Sequence, residues 1–175
     1  KAPESLTACP FKAVSTIADA LSVNMNQIIE ENHPPSAASV GLPFLIVELL
    51  NTSALADIQI NPESFNNLLD EGSPPYILVY TQNTSNADLQ ARMFAPLDGI
   101  TEDPATGSAN CALAALLAQY SDLTSGDFCW EVLQGLEMGR PSRLKIRAQK
   151  ENGSVIGSWV AGTCVMVAEG FIESG

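Results

Sequence analysis

Glu102-Asp103-Pro104-Ala105-Thr106-Gly107-Ser108-Ala109 places an acid just ahead of an almost unbroken apolar run, Ala109 to Ala118. The run predicts a helix. The first turn of a helix leaves its N–H groups without intrahelical partners. Those groups carry the positive end of the helix dipole and attract anions. Asp103 beside them can move protons on a bound anion. The chemistry indicated is acid–base work on a small anionic molecule.

A simpler reading is a turn followed by a helix cap. Asp and Pro favour the turn, Gly allows unusual backbone angles, and Ser or Thr caps the helix. Two features weigh against it. A cap needs one polar residue, yet Glu102, Asp103, Thr106 and Ser108 crowd the same end. The helix behind is also apolar on every face, so its tip opens into the core or into a cleft. Buried orphan N–H groups are costly, whereas an anion-binding cleft uses them. Other motifs fail. Ala105-Thr106-Gly107-Ser108 has Ala105 where an aspartic protease has its Asp, and the segment has no Lys for a phosphate loop. No histidine near Ser108 in sequence activates it as a nucleophile.

The elements that must position this segment read as follows. Ala13 to Leu21 has helical spacing at Val14, Ile17, Ala18 and Leu21. Asn24 caps a second helical piece holding Met25, Ile28 and Ile29, which His33-Pro34-Pro35-Ser36 ends. His33, the only histidine, is expected at that helix end as a structural cation. Pro43 to Leu50 is a strand, Ser53 to Asp57 a helical turn, and Asn61-Pro62 opens another helix. Tyr76 to Gln82 and Asp88 to Ala95 pair as a hairpin. A loop, 96–107, precedes the apolar helix. Strands follow near 128–133, 143–150, 154–160 and 163–172, with Glu151-Asn152-Gly153 as a tight turn. The apolar helix is too short for a membrane, since roughly thirteen residues span about 20 Å. Its alanines make it thin. The expected fold is α+β, a mostly antiparallel β-barrel wrapped around this central helix.

The 175 residues are 46% apolar and 16% charged, ordinary globular material. The net charge of -12 argues against nucleic acid and anionic membranes as partners. Cys9, Cys111, Cys129 and Cys164 are scattered and have no histidine cluster beside them. A metal site is therefore not expected. Free thiols in a cytoplasmic protein are, with Cys111 and Cys164 buried in apolar runs. No signal peptide is visible, and Lys1-Ala2-Pro3 does not look like a natural start.

Several segments together resemble the phenazine-biosynthesis PhzF-like isomerase family. They are Arg92-Met93-Phe94-Ala95-Pro96, Gly99-Ile100, Glu102 to Ala109, Gly41 to Leu49, and Gln134-Gly135-Leu136-Glu137-Met138-Gly139-Arg140-Pro141-Ser142. The resemblance implies a diaminopimelate-epimerase-like fold, in which two lobes each wrap a barrel around a helix and share a cleft. It implies a cofactor-free, metal-free isomerase or epimerase moving a proton on a small carboxylate substrate. Asp103 would be the second-lobe acid–base residue. Thr106, Gly107, Ser108 and Ala109 would hold the substrate, with Gly107 to Ala109 as the anion-binding turn. Cys111 would be a core thiol. The family's first-lobe glutamate and Gly-His-Ala-Thr helix start are absent from this sequence. Residues 1–40 then read as a helical lead-in from a missing first lobe, and 41–175 as the second lobe. Its exposed inter-lobe face invites a partner segment or a homodimer. The alternative is a non-catalytic anion-binding or interaction lobe.

Overall fold

The computed structural model describes residues 1–173. Its strands are β1 (Thr7–Pro10), β2 (Ile28–Ile29), β3 (Ser36–Ser39), β4 (Pro43–Leu49), β5 (Ile77–Thr81), β6 (Leu89–Ala95), β7 (Ile100–Asp103), β8 (Gly126–Gln134), β9 (Ser142–Glu151) and β10 (Ser154–Gly162). All belong to one sheet with the order β1-β3-β4-β5-β6-β8-β9-β10, while β2 adds to β4 and β7 to β6. Pairing is antiparallel except for β4 with β5 and β6 with β8. The helices are α1 (Val14–Leu21), α2 (Thr52–Ala56), α3 (Pro62–Asp70) and α4 (Gly107–Tyr120). The sheet curls around α4, which packs against β3, β4, β8, β9 and β10. The α+β class and the mostly antiparallel sheet around an apolar helix are as the sequence suggested, with the barrel a curled half-barrel of mixed pairing.

Two cores explain the strand patterns. Phe44, Ile46, Leu78 and Tyr80 face α4. Leu45, Val47, Ile77 and Val79 face the opposite way, into a layer built by α1, α2 and α3. So β4 and β5 are buried on both sides and read as continuous apolar runs. β9 is covered on one side only. Leu144, Ile146 and Ala148 point inward, and Arg143, Lys145 and Arg147 point out. Residues 1–4 draw the free edges together: Ala2 N–H donates to Ser158 O (2.9 Å) and Glu4 N–H to Val40 O (3.2 Å).

Several local expectations are corrected. The piece after Asn24 is one 3-10 turn, Met25–Gln27, after which Ile28 and Ile29 pair with β4 as β2. The β-branched pair gains more from the sheet than from a helix. The loop before α4 contains β7, folded back onto β6. The strand expected over 163–172 does not form. Those residues have no regular structure, and Val165, Met166, Val167, Phe171 and Ile172 are 84–100% exposed. Cys164 lies in this tail and is exposed rather than buried. Among the described residues no helix is long and apolar enough to cross a membrane.

Candidate active site

β6 and β7 place Asp103. Met93 pairs with Asp103 across this antiparallel hairpin. Neighbouring Glu102 is held by Arg92, whose Nε and Nη2 donate to Oε1 (2.9 Å) and Oε2 (2.8 Å). The third guanidinium nitrogen, Nη1, donates to the carbonyls of Leu55, Ala56 and Ile58. Glu102 is thereby spent on anchoring β7. Successive strand residues point to opposite sides, which turns Asp103 the other way. Asp103 is partly exposed.

Among the described residues one donor reaches the Asp103 carboxylate. Thr106 Oγ1 donates to Oδ2 at 2.5 Å. Thr106 occupies the N-cap position of α4, yet its side chain makes no cap bond to the helix. Gln134, at the end of β8, ties the turn together. Its Nε2 donates to Asp103 O (2.7 Å) and Thr106 Oγ1 (3.1 Å). Its Oε1 accepts from Thr106 N–H (3.3 Å) and Asn110 Nδ2 (2.8 Å). Asn110 and Gln134 are wholly buried.

The N–H groups of Gly107, Ser108 and Ala109 donate to no protein group in the described residues. Gly107, Ser108 and Cys111 line a cavity of about 370 Å³, together with Gly41, Leu42 and Val160. Residues 1–3 complete its wall. The helix tip therefore opens on a space of ligand size. Ala109 is fully buried, and Asp103 reaches the turn through Thr106 without lining the cavity. Cys111 is buried, and burial pushes its thiol pKa up, which suits a core thiol. A larger groove, about 510 Å³, runs along β8–β10 beside Trp130 and Trp159. Its acids are already engaged: Asp88 accepts from Glu131 N–H, and Glu131 pairs with Arg143.

Sequence reasoning quoted the Gln134 to Ser142 motif but gave its residues no work. Gln134 fixes the loop, and Gly135 permits the close approach. Gly135 has φ +79°, and a Cβ there would lie 2.5 Å from Arg140 O and 2.9 Å from Pro104 Cβ. A lone buried-capable glutamine next to a glycine was the available signal. Asn110 was the other, a carboxamide inside an otherwise apolar helix.

His33 is not a helix-end cation. It is 1% exposed. Its Nδ1 lies 2.7 Å from Pro34 O and its Nε2 2.8 Å from the Tyr80 hydroxyl, which donates to Glu48. Burial lowers its pKa. No helix ends there: the chain runs through β2, Ile28–Ile29, and then three irregular residues before His33. The structural role expected for it stands, with a different cause. Among the described residues no cluster of three His, Cys, Asp or Glu side chains is placed to hold a metal ion.

Comparison with known proteins gives a consistent picture. The family described as "Phenazine biosynthesis-like protein" matches residues 6–170. An uncharacterized isomerase of Mesorhizobium japonicum is 32% identical, over 88% of this chain and 53% of that protein. A trans-2,3-dihydro-3-hydroxyanthranilate isomerase of Pseudomonas aeruginosa is 43% identical over 46% of this chain and 29% of its own length. A solved Bacillus anthracis phenazine biosynthesis protein of the PhzF family superposes with TM-score 0.79 at 21% identity, covering 91% of this chain and 55% of that one. The chain spans about half the length of the curated relatives it matches along most of its length.

Proposed function

Because the chain belongs to the phenazine biosynthesis-like (PhzF) family, we propose that it is one lobe of a two-lobe isomerase. The reaction is proton transfer on a small carboxylate, by general acid–base catalysis without a cofactor. The single observation that carries this reading is the uncapped tip of α4. Gly107 and Ser108 line a cavity, the N–H groups of residues 107–109 have no protein acceptor among the described residues, and the N-cap hydroxyl that could seal them goes to Asp103 instead. The tip would hold the substrate carboxylate through Gly107, Ser108 and Ala109, with Thr106 bridging to the acid. Its dipole favours negative charge that grows during proton removal.

In the step itself a C–H bond breaks and the Asp103 carboxylate group takes the proton. The electron pair moves through adjacent unsaturation, and a second group protonates a carbon further along. Net charge is unchanged. Among the described residues no carboxylate or histidine lines the cavity at the tip, and we assign that group to a first lobe. The relatives named as isomerases are about twice as long, which leaves room for such a lobe. It would also cover the apolar tail, 163–173. Alone, this chain would bind a carboxylate without turning it over. The four free cysteines suit a reducing, cytoplasmic setting.

The substrate named for the Pseudomonas aeruginosa relative, trans-2,3-dihydro-3-hydroxyanthranilate, is the first to test. In a protein carrying both lobes, Asp103→Asn should lower turnover in deuterated buffer by about 10²–10⁴-fold, the usual worth of a general acid–base group. Folding should be unaffected. Turnover at the unsubstituted rate would remove Asp103 from the mechanism.

A further inference from the structure

Thr106 has what an N-cap needs. Its backbone is extended, with φ -99° and ψ 99°, and a threonine so placed normally accepts from the N–H two or three residues on. Here those are Ser108 and Ala109. Two bonds aim the hydroxyl elsewhere. Gln134 Nε2 donates to Thr106 Oγ1, and the hydroxyl hydrogen goes to Asp103.

Gln134 has no freedom to do otherwise. Asn110 Nδ2 and Thr106 N–H both donate to its Oε1, and Asp103 O accepts from its Nε2. Reversing the amide would set oxygen against oxygen at Asp103 and nitrogen against nitrogen at Asn110. Asn110 is itself fixed, since its Nδ2 also donates to Thr106 O (2.9 Å). We infer that Gln134 is a positioning residue: it holds the Thr106 hydroxyl on Asp103 and so keeps the α4 tip uncapped for a ligand. The role rests on the reading of that tip as the carboxylate site. It assigns one side chain, 28 residues from Thr106, to two parts of the same machinery.

The test uses sodium benzoate as the carboxylate and follows the Gly107, Ser108 and Ala109 amides by NMR in the 175-residue chain. In Gln134→Met the hydroxyl is released and turns to the helix. Benzoate binding should weaken about tenfold, the size of one cap interaction, and Ala109 N–H should exchange more slowly. The double variant Gln134→Met/Thr106→Val has no hydroxyl to cap with. It should regain most of the lost affinity, although it has lost more native contacts. A purely structural glutamine predicts the reverse, with the double variant binding no better than the single. That result, or Gln134→Met binding like the unsubstituted chain with Ala109 exchange unchanged, overturns the inference. Absence of any saturable shift in the unsubstituted chain would instead sink the carboxylate reading of the tip. Ala109 exchange in Gln134→Met then still decides the role of Gln134: added protection supports it and unchanged exchange refutes it. Should Gln134→Met fail to fold, Gln134→Asn keeps a carboxamide one methylene short of Thr106, and the same outcomes apply.

Discussion

Glu48 and Asp103 are both carboxylates that receive a hydroxyl hydrogen, and they are held in contrasting ways. Glu48 is 3% exposed, and its two oxygens accept from Asn32 Nδ2 (3.0 Å to each), Tyr80 Oη (2.9 Å) and Gln82 Nε2 (3.1 Å). Nothing is left for a ligand. Asp103 is partly exposed and accepts one side-chain bond, from Thr106. A saturated carboxylate is a structural strut. One with spare lone pairs next to unpaired amides is equipped for chemistry. The sole histidine, which a search for catalytic residues would pick first, sits in the saturated cluster.

The difference can be broken most sharply by deleting each acid. Glu48→Ala strands the buried Tyr80 hydroxyl and takes the partner from the exposed Asn32 and Gln82 amides, and should cost about 2–3 kcal/mol of stability. Asp103→Asn keeps an acceptor for Thr106 and should stay within about 0.5 kcal/mol. Urea midpoints of the two variants measure this. Equal midpoints would erase the distinction between the saturated carboxylate and the partly free one.

Much of the Asp103 side of this contrast was legible in the chain. A helix apolar on every face has one physical home, inside a layer of protein, and its polar forerunner, Glu102 to Ser108, is contiguous in sequence. The Glu48 side was not legible. Glu48 and Tyr80 are register partners on the parallel pair β4 and β5, and parallel pairing joins residues that no local spacing relates. His33 reaches Tyr80 across 47 positions, so its burial could not be read from the Pro-Pro that follows it. Gln134 was invisible for the same reason, since it acts on a loop 28 to 31 positions earlier. The tail failed in the opposite sense. Its apolar residues read as a strand, but residues 163–172 have no regular structure. The second apolar layer, α1 to α3, could have been inferred from β4 and β5, whose unbroken hydrophobic runs require cover on both faces.

The saturated cluster should also show itself through pH. Burial lowers the pKa of His33 below its ordinary 6.5, so the unfolded chain takes up a proton before the folded one does. Stability is then fully present above about pH 6.5 and falls as the solution is acidified toward the folded-state value, by at most about 1.4 kcal/mol per pH unit. Tyr80 does not titrate in this window, because burial and the Glu48 carboxylate push its hydroxyl pKa up. Urea midpoints between about pH 6.5 and 5 should decline in the native chain and decline less in His33→Gln. A parallel decline in both would show that His33 takes up its proton alike in the folded and unfolded chain.

The finest test compares helix tips. Asn61 Oδ1 accepts from the N–H groups of Glu63 and Ser64 at the start of α3, at 3.1 and 3.2 Å, and Asn51 Oδ1 accepts from Ala54 N–H at the start of α2. Thr106 gives α4 nothing of the kind. A sealed tip depends on its cap, and an open one does not. Asn61→Ala should therefore cost about 1 kcal/mol and speed amide exchange at Glu63 and Ser64. Thr106→Val should leave exchange at Gly107, Ser108 and Ala109 where it was, because their N–H groups have no protein acceptor to lose. Faster exchange there in Thr106→Val would mean that the hydroxyl spends part of its time on the helix. The α4 tip would then be another capped end like α3, and the ligand site built on it would lose its donors.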